Sequence, residues 1–226
     1  QAHSRGLRVA SHLFYLEDAH GLLDAGVDVI AHSVRDQAVD DSLIEKMLQQ
    51  NVPYIPTLTR DLARFVYETR PAFLDDPFFL RRVNAYQGDV DLVTGSDYQA
   101  TSRSPQRQAD KGGLAQGSQN LKTVSDAGVV IAMGSDSGTN QGQWQGYFEH
   151  TEIEMMVEAG MSTTQALVAA TGGAAEAMGL DQDVGVLRPG RWADLLVLNA
   201  NPLEDIRATR EIDSVWIAGR PLDDLP

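Results

Sequence analysis

The chain has 226 residues, 42% of them hydrophobic, and 18 Lys+Arg against 32 Asp+Glu give a formal net charge of −14. This composition excludes whole-chain disorder. Three lysines and scattered arginines supply no basic stripe for nucleic acid, and the absence of cysteine removes disulfides and thiolate metal sites without fixing a compartment.

No apolar run reaches the roughly 18 residues of a membrane helix, so the charge reads as a solvated surface. The chain opens on Gln1, and residues 2–6 read as the end of a helix, so the sequence is expected to be the downstream part of something longer. A β-prone run follows at 7–12 and a helix at 16–25, closed by Gly26. A second run spans 27–32. Asp40 and Asp41 then favour a helix start, Leu43, Ile44, Met47 and Leu48 form its apolar face, and Asn51 ends it. The third run, 52–58, carries Pro53 and Pro56, which confine it to an irregular strand or a strand end.

Residues 60–126 are long for one connection. Two aromatic clusters, at 65–67 and 78–79, read as buried helix faces, and the polar stretch 95–117 reads as either a mobile lid or a solvent loop. Helix resumes at 120–127, and the nearly continuous apolar run 129–133 suits a parallel strand covered on both sides. Of the next two helices, the first turns Ile153, Met156 and Val157 inward, with Glu149, Glu152, Glu154 and Glu158 mostly toward water. The second repeats Ala166, Ala170, Ala174 and Ala177 for close packing. Short strands at 186–187, 193–198 and 212–217 end the chain. Four strand–helix units and a small β ending indicate a parallel α/β sheet or barrel, and four units are only half of a (β/α)8 barrel, which typically needs about 250 residues.

Two of the five histidines, His12 and His32, close consecutive strands, and Asp136 follows the apolar run among small residues. Strand C-terminal ends carry the active site of such barrels. Two imidazoles and a carboxylate suit Zn²⁺ or another borderline divalent ion, although a lone strand-end histidine is commonly structural. A serine elbow is disfavoured because Asp136 holds the central place of 134–138. His3 and His20 read as surface residues. His150 reads equally well as a site neighbour or as a capping or packing residue.

The segments GLRVASH (6–12), AGVDVIAH (25–32) and the PTL at 56–58 resemble strands five to seven of the metal-dependent amidohydrolase superfamily. MGSD (133–136) matches its strand-eight signature. EAGMS (158–162), with Ala166–Leu167 and Ala170–Thr171, is similar to the helices that follow. GVLRPGRWADLLVL (185–198), NPL (201–203) and VWIAGR (215–220) are similar to its C-terminal signature. The nearest flavour is the imidazolonepropionase-like and prolidase-like branch, and 60–120 lies outside the resemblance.

The resemblance implies the C-terminal half of a TIM-type barrel, strands five to eight, over 1–182, and strands of a small β-sandwich over 183–226. It implies that His12 and His32 bind the more buried metal, while Asp136 binds the other and exchanges protons. The expected activity is C–N bond hydrolysis of a small-molecule substrate with a divalent metal of the Zn class. The alternative is a fold without a working centre. The family's H-x-H pair and bridging Lys belong upstream of Gln1, so pairing with an N-terminal half, or with a second copy, is expected. Phe14 stands where dipeptidase-like relatives carry Tyr, which does not support a dipeptide substrate.

Overall fold

Short apolar runs between turn-forming residues become β1 (Ala10–Ser11), β2 (Val29–Ala31) and β3 (Tyr54–Ile55). They form a parallel sheet in chain order, in register Ala10↔Val29 and Ile30↔Tyr54. This is a computed structural model, and it describes residues 1–81 and 83–223. Helices α1 (Leu16–Asp24) and α2 (Asp41–Gln50) connect the strands. At α2, Asp40 accepts from the Leu43 N–H at 2.8 Å and Asn51 closes the helix in the left-handed conformation. Both helices bury one apolar face, Leu16, Ala19 and Leu23 on α1 and Leu43, Ile44 and Met47 on α2. Each large aliphatic side chain so buried contributes about 1.5–3 kcal/mol.

The apolar run 129–133 is not a full strand. It meets β3 in a single parallel bridge, Tyr54↔Ile131, with Tyr54 N donating to Val130 O (2.9 Å) and Ala132 N to Tyr54 O (3.0 Å). Its other backbone groups turn to a helix: Met133 N donates to Ala169 O at 2.9 Å. A Cβ on Gly173 would lie 2.2 Å from the Ile131 carbonyl oxygen, so only glycine fits this approach.

Residues 96–102 and 105–117 are helical rather than a solvent loop. After α3 (Leu58–Leu62), α4 (Pro77–Leu80) and α5 (Gln87–Thr94) come α6 (Ser96–Ser102) and α7 (Pro105–Asp126). Ser104 caps α7 and Pro105 occupies its first turn, where a missing N–H costs nothing. Gly117, one of the glycines that suggested a loop, permits close packing instead, since a Cβ there would stand 3.0 Å from the Ser33 Cβ. Of the aromatic clusters, Phe79 is buried from α4 and Tyr67 from a single 3-10 turn, joining Trp144, Tyr147 and Phe148 in a second core.

Helix α8 (Phe148–Glu158) departs from expectation at Glu152, which is completely buried. The alanine-rich stretch is one continuous helical run, α9 (Thr163–Val168) and α10 (Ala174–Met178) joined through a π turn (Ala169–Gly173). The tail forms an antiparallel sheet of β4 (Leu195–Leu198), β5 (Ile212–Ile217) and β6 (Arg220–Pro221). Ala218 and Gly219, both at positive φ, make its tight turn. The expected strand at 186–187 is exposed and unpaired with the sheet. Residues 224–226, the end of the expected 183–226 unit, lie outside the described residues. Among the described residues no helix is long and apolar enough to cross a membrane.

Candidate active site

Because β1, β2 and β3 run parallel, His12, His32 and Thr57 all lie just beyond strand C-terminal ends. His12 Nδ1 is 2.6 Å from His32 Nε2. His32 is buried, and its Nδ1 lies 2.6 Å from Thr57 Oγ1. Burial, with smaller contributions from Arg60, His12 and Arg35, pushes the His32 pKa down to about 3, so the ring is neutral near pH 7. With Nδ1–H donating to Thr57 Oγ1, Nε2 keeps a lone pair facing His12. Thr57 holds this position in the left-handed region at φ 51°, a costly conformation for a β-branched residue.

Asp136 is also left-handed, at φ 54°. Its Oδ2 lies 3.2 Å from Arg60 Nε, and Arg60 Nη1 donates to Asp61 Oδ1 at 3.0 Å. Asp61 in turn accepts from Arg35 Nη1 at 2.7 Å inside the protein. Arg35, Arg60 and the histidine pair line a cleft of about 770 Å³, together with Arg64 from the turn after α3 and Gln116 from α7. Among the described residues no group of three or more His, Cys, Asp or Glu is close enough to hold a metal ion.

Two glutamates of α8 support these loops, and neither stood out in the sequence. Glu152 accepts from Leu58 N (2.8 Å), Thr59 N (2.7 Å) and Thr59 Oγ1 (2.7 Å), and burial raises its pKa to about 7. Glu149 accepts from Ser135 Oγ (2.8 Å), Gly146 N (2.7 Å) and Ser137 Oγ. The remaining histidines are elsewhere. His3 pairs with Asp28 at 2.8 Å and His20 with Asp40 at 3.1 Å. His150 packs edge-on against Phe78 and contacts Thr209 Oγ1 at 3.0 Å.

The histidine pair fits a divalent ion in donor chemistry: two facing nitrogens, one ring neutral, its far nitrogen fixed by a hydroxyl. An ion about 2.0–2.1 Å from each nitrogen in a tetrahedral shell spaces them about 3.3 Å apart. The rings therefore need to part by less than ~1 Å from the spacing seen here.

The sequence pattern of the Amidohydrolase family matches residues 1–222. An uncharacterized protein of Mycobacterium tuberculosis is 26% identical over 97% of this chain and 49% of its own length. The imidazolonepropionase of Deinococcus deserti is 35% identical over 43% of this chain and 25% of its own. Among solved structures, a candidate prolidase from Bifidobacterium longum superposes with a TM-score of 0.69 at 30% identity, over 99% of this chain and 48% of that one. The chain thus spans about half the length of the mycobacterial relative and of the superposed structure.

Proposed function

Because this chain belongs to the amidohydrolase family, we propose that it contributes strands five to eight of a (β/α)8 barrel to a metal-dependent hydrolase of C–N bonds. In this reading residues 1–182 form the half-barrel and 183–226 belong to a small β domain. The substrate is a small molecule with an amide, cyclic amide or peptide-like bond, and the barrel is completed by an N-terminal half or a second copy. The observation that carries the proposal is the contact of His12 Nδ1 with His32 Nε2 at adjacent strand ends.

His12 and His32 would hold a divalent ion of the Zn class through these nitrogens. When bound, such an ion polarises a carbonyl and makes water acidic enough to attack at neutral pH. Thr57 keeps His32 in the tautomer that presents Nε2. Asp136 takes a proton from the attacking water on a carboxylate oxygen and passes it to the departing nitrogen. Arg60 is its counter-charge in the structure described.

Asp136→Asn in the full-length protein, assayed on a panel of N-acyl amino acids and cyclic amides, is expected to lower turnover by about 10²–10⁴-fold with an unchanged circular dichroism spectrum. Unaltered turnover would remove Asp136 from the mechanism. The engagement of Asp136 by Arg60 favours one second reading, an amidohydrolase fold without a working centre. Tightly held transition metal in the purified full-length protein supports the enzyme; a stable full-length protein that binds none supports the second reading.

A further inference from the structure

Two loops must keep register for the proposed centre to exist: the 57–59 turn, which fixes His32, and the 134–137 loop, which carries Asp136. They come from chain segments about 80 positions apart, and both are tied to helix α8. Glu149 and Glu152 are three positions apart on this helix, hence on one face.

Glu152 points its carboxylate at the N-terminus of α3, where backbone N–H groups otherwise lack partners. It accepts from two of them, Leu58 N and Thr59 N, immediately after Thr57. A completely buried carboxylate is costly unless its acceptors are filled, and here the Thr59 hydroxyl adds a third donor at 2.7 Å. The same hydroxyl oxygen lies 3.1 Å from the Ser135 carbonyl oxygen, one residue before Asp136. Glu149 grips that loop from its other side, through Ser135 Oγ and Ser137 Oγ, the residues flanking Asp136.

We propose that Glu149 and Glu152 are positioning residues, which hold the His12–His32 pair and Asp136 at a fixed separation across α8. Their role is to set the geometry in which a divalent cation is bound. The inference rests on the metal-centre reading above, and its test separates the two.

Full-length protein is stripped of metal and titrated with Co²⁺, recording visible absorption and affinity against a competing chelator. Glu152→Gln sets an amide N–H₂ group against the backbone donors, so Co²⁺ affinity should fall about 10–100-fold and the absorption band should change. Ser135→Ala, which removes one Glu149 partner, should change them in the same direction but less. Thr59→Val should weaken binding, and Thr59→Ser should restore both affinity and band shape. A merely structural role would lower the thermal midpoint of the metal-free protein and leave the band unchanged.

Folded Glu152→Gln with wild-type affinity and spectrum overturns the proposal. If it fails to fold, the Thr59 pair decides: equal binding by the Val and Ser variants overturns it. If wild type binds no Co²⁺, the metal-centre reading fails by itself. Positioning is then read in metal-free protein from the His32 ring N–H proton resonance. Its shift or loss in Thr59→Val but not Thr59→Ser supports the inference; an unchanged resonance overturns it.

Discussion

The two sheets of this chain are stabilised in opposite ways. In the parallel sheet β2 and β3 are largely buried, although Ala10 of the edge strand β1 is exposed, and the polar neighbours are internal: Arg35, Asp61, Thr59 and Glu152 are all buried. The antiparallel tail sheet buries no strand residue in β4, β5 or β6, and Leu196 and Ile217 are 51% and 53% exposed. What joins the tail to the rest is a seam beside it. Arg210 reaches Asp76 at 3.0 Å and Glu154 at 2.5 Å and lies over the Tyr147 ring, while Ile206 is buried. The contrast separates two uses of polar side chains: in the first region they build loop geometry from inside, and in the second they fasten a surface element to a helix.

Breaking the internal pair should cost most. Arg35→Ala leaves the buried Asp61 carboxylate with the part-exposed Arg60 as its remaining cationic partner and is expected to lower stability by about 3 kcal/mol in urea unfolding, whereas Arg35→Met with Asp61→Leu should recover most of it. Arg210→Ala cuts the seam, and because these groups are partly solvated the loss should be smaller, roughly 2–3 kcal/mol. A matching loss for Arg210→Ala and Arg35→Ala would erase the distinction between seam and interior.

The seam also titrates. Burial, with a smaller contribution from Arg210, pushes the His150 pKa down to about 4. The unfolded chain, near 6.5, therefore binds the proton first. The contribution is complete above pH ~6.5 and is lost as pH falls toward 4, by roughly 2 kcal/mol at pH 4.5. His150→Leu should flatten this part of the stability–pH curve, and a curve as steep as wild type would assign the acid sensitivity elsewhere. The smallest effect belongs to the exposed sheet: Leu196→Thr should shift stability by no more than about 0.5 kcal/mol.

Much of the site was legible because strand ends are. A histidine closing each of two β-prone runs is visible from spacing alone, and both side chains do meet. The pairing of Asp136 with Arg60 was not legible, because the sequence places Arg60 only in an unassigned connection. Glu152 was missed for a physical reason. In the run EIEMMVE the glutamates at 152, 154 and 158 read as a solvated helix face, and nothing local reveals that one points at the N–H groups of a helix 93 and 94 positions away. Thr57 was hidden in the same way, since nothing in a Pro-Thr-Leu run announces a left-handed threonine. The shortening of the 129–133 strand likewise follows from a helix contact at Ala169 and Gly173.

The stretch 95–117 was misread because Gly112, Gly113 and Gly117 lower helix propensity by about 1 kcal/mol each relative to alanine. Helix α7 forms despite them. It is 22 residues long, yet all its buried residues lie at Gly117 and beyond, with Asn120, Leu121 and Val124. Its two halves should therefore part company under native-state hydrogen exchange. Amides before Gly117 should open by local fraying, while those after it should wait for the sheet itself to unfold.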